Sequence, residues 1–182
     1  MEDLPQSVTV NTALDAVSHA VEGMLSVRAN LFSDALARES LRLLFGEYSA
    51  LRAGVYARAD RQMLLYGAAI AGMVIAHPGT TPVHGMGYSL TYYHGVPHGR
   101  ANGLLLPAFL EHCLQKDRPR AERVYAALGM GAKEFSEKLA VLLGERERYS
   151  DAELLFWPHK AAQSRKQCSI SFAEEELLSV LK

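Results

Sequence analysis

Apolar residues recur at helical spacing along most of the chain, and this repeat constrains the fold more than any other feature of the sequence. The only run that alternates like a strand, residues 7–11, is short. We therefore predict an all-α fold, a multi-helix bundle. The predicted helices cover about residues 11–27, with Thr9 or Asn11 as N-cap, 33–53 ending at Gly54, 57–75, 83–92, 97–112 with a bend at Pro107, 118–128, 132–143, 151–165 and 172–181.

Length and composition indicate one globular domain. The chain has 182 residues, of which 49% are hydrophobic and 21% charged, and a formal net charge of −1. This balance gives no reason to expect a nucleic-acid partner or a membrane surface, and no apolar run reaches the roughly 20 residues of a membrane span. Two cysteines, Cys113 and Cys168, without a metal-type spacing suit a reducing compartment, so we expect a cytoplasmic protein.

The first predicted helix carries a polar stripe on an otherwise apolar surface. Asp15, His19, Glu22 and Ser26 follow one another at i, i+4, i+7 and i+11, which places them on one face. A buried carboxylate beside a buried imidazole is costly unless it is paired or bound to metal. The stripe therefore indicates that Asp15 and His19 bind a metal ion, that they form a salt bridge, or that the stripe is simply the solvent-facing side of the helix.

A histidine- and glycine-rich segment strengthens the metal interpretation. Residues 79–103 read GTTPVHGMGYSLTYYHGVPHGRANG and contain His84, His94 and His98 among six glycines. Glycines let backbones approach closely, as a site assembled from several helices requires. Imidazoles together with a carboxylate suit a borderline divalent ion, iron(II) or zinc, better than magnesium or calcium.

These motifs resemble the iron-containing (group III) alcohol dehydrogenases. The resemblance rests on DAVSHAVEG and, some sixty residues later, on GTTPVHGMGYSLTYYHGVPHGRANGLLLPAFLEH; it extends from about Leu4 to Leu181 and weakens after Met130. It implies the helical domain of that family, which is similar to the helical domain of dehydroquinate synthase-like proteins. It also implies an NAD- or NADP-linked interconversion of alcohols with aldehydes or ketones.

The resemblance assigns the metal ligands to Asp15, His19, His84 and His98, and excludes His94. The ion is iron(II) by resemblance, with zinc as the chemical alternative, and in the family it polarises the oxygen of a small alcohol or aldehyde. Tyr88 departs from the pattern because many members carry a further histidine there. Its phenol is expected to hydrogen-bond or relay a proton, or else to pack in the core.

The second departure is length, because family members are about twice as long and begin with an α/β dinucleotide-binding domain. No G-x-G-x-x-G follows a strand pattern here. We therefore expect residues 1–182 to form a single helical metal-binding domain that lacks the cofactor domain of the family. As partners we expect a second copy of the chain or a separate dinucleotide-binding domain.

Several residue roles stay open at the sequence level. Glu22 is expected to orient His19 or to bridge on the helix surface, and Arg100 and Asn102 to contact substrate or a cofactor phosphate. One rival function is a stand-alone metal-dependent hydrolase with Glu22 as general base. Another is an inactive, metal-stabilised fragment.

Overall fold

The computed structural model describes residues 3–147, 149–150 and 167–181, and in these residues the fold is all-α as predicted. The predicted helix over 151–165 lies outside the described residues. The helices of the described part are α1 (Gln6–Leu25), α2 (Leu31–Gly46), α3 (Tyr48–Ala53), α4 (Arg58–Ala76), α5 (Pro82–His94), α6 (His98–Lys116), α7 (Arg118–Leu128), α8 (Ala132–Leu143) and α9 (Glu174–Leu181).

Helix α1 is the central element and packs against α2, α4 and α6. Most of its surface is buried because apolar side chains surround it. It begins at Gln6, so the short alternating run over residues 7–11 is helical: Thr9 and Val10 lie inside the helix and in the core. The N-cap prediction is also wrong, because Pro5 holds that position and the Thr9 hydroxyl donates back to the Pro5 carbonyl at 3.0 Å.

The second predicted helix is divided into two. Asn30 caps α2, its side-chain oxygen accepting from the amides of Phe32 and Ser33 at 3.0 Å each. The helix ends at Gly46, and after Glu47 the short helix α3 continues to Ala53. Gly54, at φ 71°, terminates α3 as predicted. The apolar repeat runs through the break, which explains why periodicity alone did not detect it.

The other helices predicted within the described residues are confirmed to within a few residues, and α6 continues through Pro107. The β pairing found in the described residues is a single bridge between Ser26 and Cys168, where the amide of Ser169 donates to the Leu25 carbonyl at 2.8 Å. None of the helices in the described ranges has the length and apolar character needed to cross a membrane.

Two glycines allow α6 to lie unusually close to α1. A Cβ on Gly99 would stand 1.8 Å from the carbonyl oxygen of Asn11, and one on Gly103 would stand 3.0 Å from Leu14. The contact at Gly99 is with backbone, which has little freedom to move aside. This close approach brings the first turn of α6 next to the second and third turns of α1.

We predict that Gly99→Ala destabilises the protein, because the new methyl group must push α6 away from α1. Overpacking of this kind costs about 1–3 kcal/mol, measured as the free energy of unfolding in urea. Gly72→Ala is the matched control, because a Cβ added to that helical glycine would meet nothing within 4 Å. It should be neutral or stabilising by up to about 1 kcal/mol. Equal effects of the two substitutions would contradict the close-packing explanation.

Candidate metal centre

Four side chains from three helices converge at one point. Asp15 and His19 come from adjacent turns of α1, His84 from the first turn of α5 and His98 from the start of α6. The Nε2 atoms of His84 and His98 each lie 3.5 Å from Asp15 Oδ1, and His19 Nε2 lies 3.8 Å from it. One donor atom from each of Asp15, His19 and His84 fits within a mutual distance of 4.8 Å.

The cluster has a closed side and an open side. His84 is 1% exposed, whereas the side chains of Asp15, His19 and His98 retain partial contact with solvent. The ring of His19 stacks on that of His84 with centroids 4.7 Å apart, and the ring of His98 meets it edge-on at 5.1 Å. The side of the cluster that meets solvent is therefore formed by Asp15, His19 and His98.

Glu22 contacts His84, so the expectation that it orients His19 is wrong. The Glu22 carboxylate is fully buried, and its Oε2 contacts Nδ1 of His84. Its Oε1 accepts from the amide of Thr81 at 2.8 Å, from the Thr81 hydroxyl at 2.7 Å and from the amide of His84 at 3.3 Å. With Nδ1 engaged by Glu22, the other ring nitrogen of His84 is the one that faces Asp15.

Asn102 belongs to the cluster, a role that the sequence analysis missed. Its Nδ2 donates to Asp15 Oδ1 at 2.9 Å and lies 3.2 Å from Nε2 of both His84 and His98. The residue is fully buried, so the predicted contact with substrate or phosphate is wrong. Gly87 makes room for it, because a Cβ there would stand 2.1 Å from Asn102 Oδ1. The i, i+4 spacing of His98 and Asn102 was the available signal.

Tyr88 lies on the open side of the cluster. It is 58% exposed, so the alternative of core packing is wrong. Its ring stacks on His98 with centroids 4.9 Å apart and meets His84 edge-on at 6.2 Å. The phenol therefore stands at the entrance to the cluster.

The other polar candidates lie away from this point. The Nε of Arg100 donates to Glu147 Oε1 at 2.6 Å, and its other nitrogens contact carbonyls at the end of α8, so it is engaged within the chain. His94, which the resemblance excluded as a ligand, packs its ring against Tyr149 at 5.0 Å. His112 pairs with the Ser179 hydroxyl at 2.7 Å.

The charges of the cluster are strongly coupled. Burial opposes ionisation of His84, but the carboxylates of Glu22 and Asp15 outweigh it and raise the pKa of His84 to about 9. Burial also opposes ionisation of Asp15, and the neighbouring imidazoles reverse this, so its pKa is lowered. Burial lowers the pKa of His19 and of His98. Two of the three imidazoles therefore favour the neutral form, which is the form that binds metal.

The donor set suits a borderline divalent ion. One carboxylate and three imidazoles are the ligands that iron(II) and zinc accept in proteins, whereas magnesium and calcium prefer oxygen. The three Nε2 atoms surround one carboxylate oxygen, and the protein holds His84 by its opposite ring nitrogen. The residues present therefore fit such an ion.

We predict that the metal-free chain loses stability between pH 6.5 and 9.5. The pKa of His84 is raised from 6.5 to about 9 by folding, so its contribution is complete below pH 6.5 and lost as pH rises through about 9. The loss is at most roughly 3 kcal/mol, measured by urea unfolding in the presence of a chelator. The pKa values of His19 and His98 are lowered from 6.5, so the titration of these two residues affects stability below this pH range.

His84→Gln is the control for this prediction, because the amide can still donate to Glu22 but does not titrate. Its free energy of unfolding should stay nearly constant over the same pH range. An equal pH dependence in the two proteins would show that other groups cause the effect.

Comparison with known proteins agrees with the motifs. Residues 9–148 match the sequence profile of the Fe-containing alcohol dehydrogenase family, C-terminal part. The chain is 33% identical over 137 residues to long-chain-alcohol dehydrogenase 1 of Geobacillus thermodenitrificans, covering 74% of this chain and 34% of that protein. It is 33% identical over 113 residues to lactaldehyde reductase of Escherichia coli, covering 62% of this chain and 29% of that protein.

A solved structure gives the same result for the fold. The iron-containing alcohol dehydrogenase of Thermotoga maritima superimposes with a TM-score of 0.84 at 31% identity, covering 98% of this chain and 49% of that one. The chain thus spans about a third of the length of the curated relatives and about half of the structural one. With the profile match covering most of the sequence, these similarities confirm that the chain belongs to the iron-containing alcohol dehydrogenase family.

Proposed function

We propose that Asp15, His19, His84 and His98 bind one divalent metal ion, iron(II) in the first place and zinc as the alternative. The observation that carries the proposal is the convergence of three Nε2 atoms within 3.5–3.8 Å of Asp15 Oδ1. The chain thereby gathers one carboxylate and three imidazoles, ligand types that iron(II) and zinc accept, in a partly buried space.

The reaction we propose is the NAD- or NADP-linked interconversion of a small alcohol with an aldehyde or ketone. A bound ion supplies Lewis-acid polarisation of the substrate oxygen. The chain supplies the negative charge of Asp15, the fixed imidazole of His84 and the solvent-facing side between His19 and His98 through which substrate enters. Support comes from family membership and from relatives that are alcohol dehydrogenases or aldehyde reductases by name.

Tyr88 is proposed to contact the substrate. Its exposed ring stacks on His98 at the entrance, so its hydroxyl belongs to the surface that meets an incoming carbonyl or alcohol. A phenol can donate a hydrogen bond to an oxygen and accept one from a proton donor.

The cofactor is proposed to bind mainly outside this helical domain, which we take to be residues 1–182. The sequence contains no glycine-rich phosphate loop after a strand pattern. A dinucleotide-binding domain that docks beside the open side of the cluster would bring the nicotinamide to the substrate. A cytoplasmic, oligomeric enzyme remains part of this proposal.

The hydrolase alternative is not supported, because its general base is not available. Both oxygens of Glu22 already accept hydrogen bonds, and the carboxylate has no exposure to water. An inactive fragment remains the competing hypothesis, and metal binding distinguishes it from an active domain.

We predict about one iron or zinc per chain after anaerobic loading, measured by elemental mass spectrometry on the desalted protein. The double variant His19→Ala, His98→Ala should retain almost none, because two of the four ligands are removed. His94→Ala is the matched control, since His94 lies four residues from His98 and outside the cluster, and it should bind as the wild type does. Equal metal contents in all three proteins would contradict the proposed site.

We also predict that Tyr88→Phe slows aldehyde reduction about tenfold, the loss expected for one hydrogen bond of about 1.4 kcal/mol. The assay needs a polypeptide in which this chain follows a dinucleotide-binding domain from a member of the family. Metal content should be unchanged, because the ring and its stacking on His98 remain. An unchanged kcat would limit Tyr88 to a packing role.

A further inference from the structure

Glu22 is a buried acid that is not among the proposed metal ligands. It lies on α1, is fully buried, and no lysine or arginine among the described residues pairs with it. In the part of the chain that the structure describes, its hydrogen-bond partners come from Thr81 and His84, at the start of α5. A carboxylate buried in this way is stable only if each oxygen receives strong donors.

Most of the hydrogen-bond donors to Glu22 come from the N-terminal end of α5. Thr81 is the N-cap of α5 and Pro82 its first residue, and the Thr81 side chain makes no cap hydrogen bond of its own. Glu22 Oε1 accepts instead from the Thr81 amide at 2.8 Å, from the Thr81 hydroxyl at 2.7 Å and from the His84 amide at 3.3 Å. An acid from a different helix thereby caps α5, where the helix dipole favours negative charge.

The second oxygen fixes the proton on the histidine ring. Glu22 Oε2 contacts His84 Nδ1, and an ionised carboxylate can only accept, so Nδ1 must carry the proton. In the neutral ring the lone pair then lies on Nε2, the atom that stands 3.5 Å from Asp15 Oδ1. One side chain thus sets both the position of the first turn of α5 and the ring nitrogen that it presents.

We propose that Glu22 is a positioning residue that holds His84 with Nδ1 protonated and Nε2 ready to bind metal, by tying the start of α5 to α1. The proposal rests on the metal site proposed above. It explains why a carboxylate is needed. Four donors surround the group, namely the amide and hydroxyl of Thr81 and the amide and Nδ1 of His84, and only a group with two acceptor oxygens satisfies all of them.

Glu22→Gln tests this requirement with almost no change in shape. One orientation of the amide keeps the Thr81 contacts but turns an NH2 group toward Nδ1, which then must accept and leaves the proton on Nε2. The opposite orientation keeps the Nδ1 contact but sets the NH2 group against the Thr81 amide. Either way one end of the network is mismatched, so the affinity for metal should fall.

The first measurement is the dissociation constant for zinc, by chelator competition on the complete chain. Glu22→Gln should weaken binding about 10–100-fold, the usual effect of losing the partner of a ligating histidine. Ser40→Ala is the control for general destabilisation, because it removes the buried bond from Ser40 Oγ to the Gly67 carbonyl at 2.8 Å, between α2 and α4. It should lower the unfolding temperature without changing the affinity for zinc.

The second measurement observes the proton directly. In a chain labelled with 15N-histidine, the Nδ1 proton of His84 should give a downfield, slowly exchanging signal, with or without zinc. That signal should be lost or shifted upfield in Glu22→Gln, because the amide either accepts the Nδ1 proton more weakly than a carboxylate does or leaves that proton on Nε2, and it should be unchanged in Ser40→Ala. A Glu22→Gln protein that keeps the signal at its wild-type position, or that binds zinc as tightly as the control, overturns the proposal. If the wild type binds no metal, the metal site fails, and the signal alone decides the role of Glu22.

Discussion

The buried polar face of α1 is the constraint on which the rest of the arrangement depends. This helix is apolar around most of its circumference and sits at the centre of the bundle, yet it carries two carboxylates, Asp15 and Glu22. Buried acids need donors or cations, and α5 and α6 supply them from their first turns. Helix α1 therefore forms the centre of the core and also positions the residues of the candidate metal centre.

Close backbone packing and polar pairing depend on each other in this centre. Gly99 lets α6 approach α1 until His98 reaches Asp15, and Gly87 lets Asn102 lie between α5 and α6. The Nδ2 atom of Asn102 then lies 2.9 Å from Asp15 Oδ1 and 3.2 Å from the Nε2 atoms of His84 and His98. These polar contacts therefore join α5 and α6 to Asp15 at the place where the glycines let the helices approach one another.

The sequence predicted the parts of this arrangement that are local. Periodicity located the described helices, and the i, i+4 spacing placed Asp15 and His19 on one face. The break at Glu47 was missed because the apolar repeat continues across it. The family motif, and not spacing, selected His84 and His98 over His94. The partner of Glu22 and the role of Asn102 were assigned wrongly, because both depend on how α5 and α6 sit against α1, and contacts between helices leave no periodic signal in one sequence.

Three of the four residues of the cluster are oriented by contacts within the described part of this chain. His84 is held by Glu22, Asp15 by Asn102, and His98 by stacking against Tyr88. None of these contacts needs an atom from a cofactor domain. The pKa of His84 is raised to about 9, so its ring is a doubly protonated imidazolium at neutral pH. An incoming metal ion must therefore displace the proton on Nε2. If the proposed site binds a metal ion, its affinity should accordingly rise with pH until His84 is neutral, and this dependence should not require a cofactor domain.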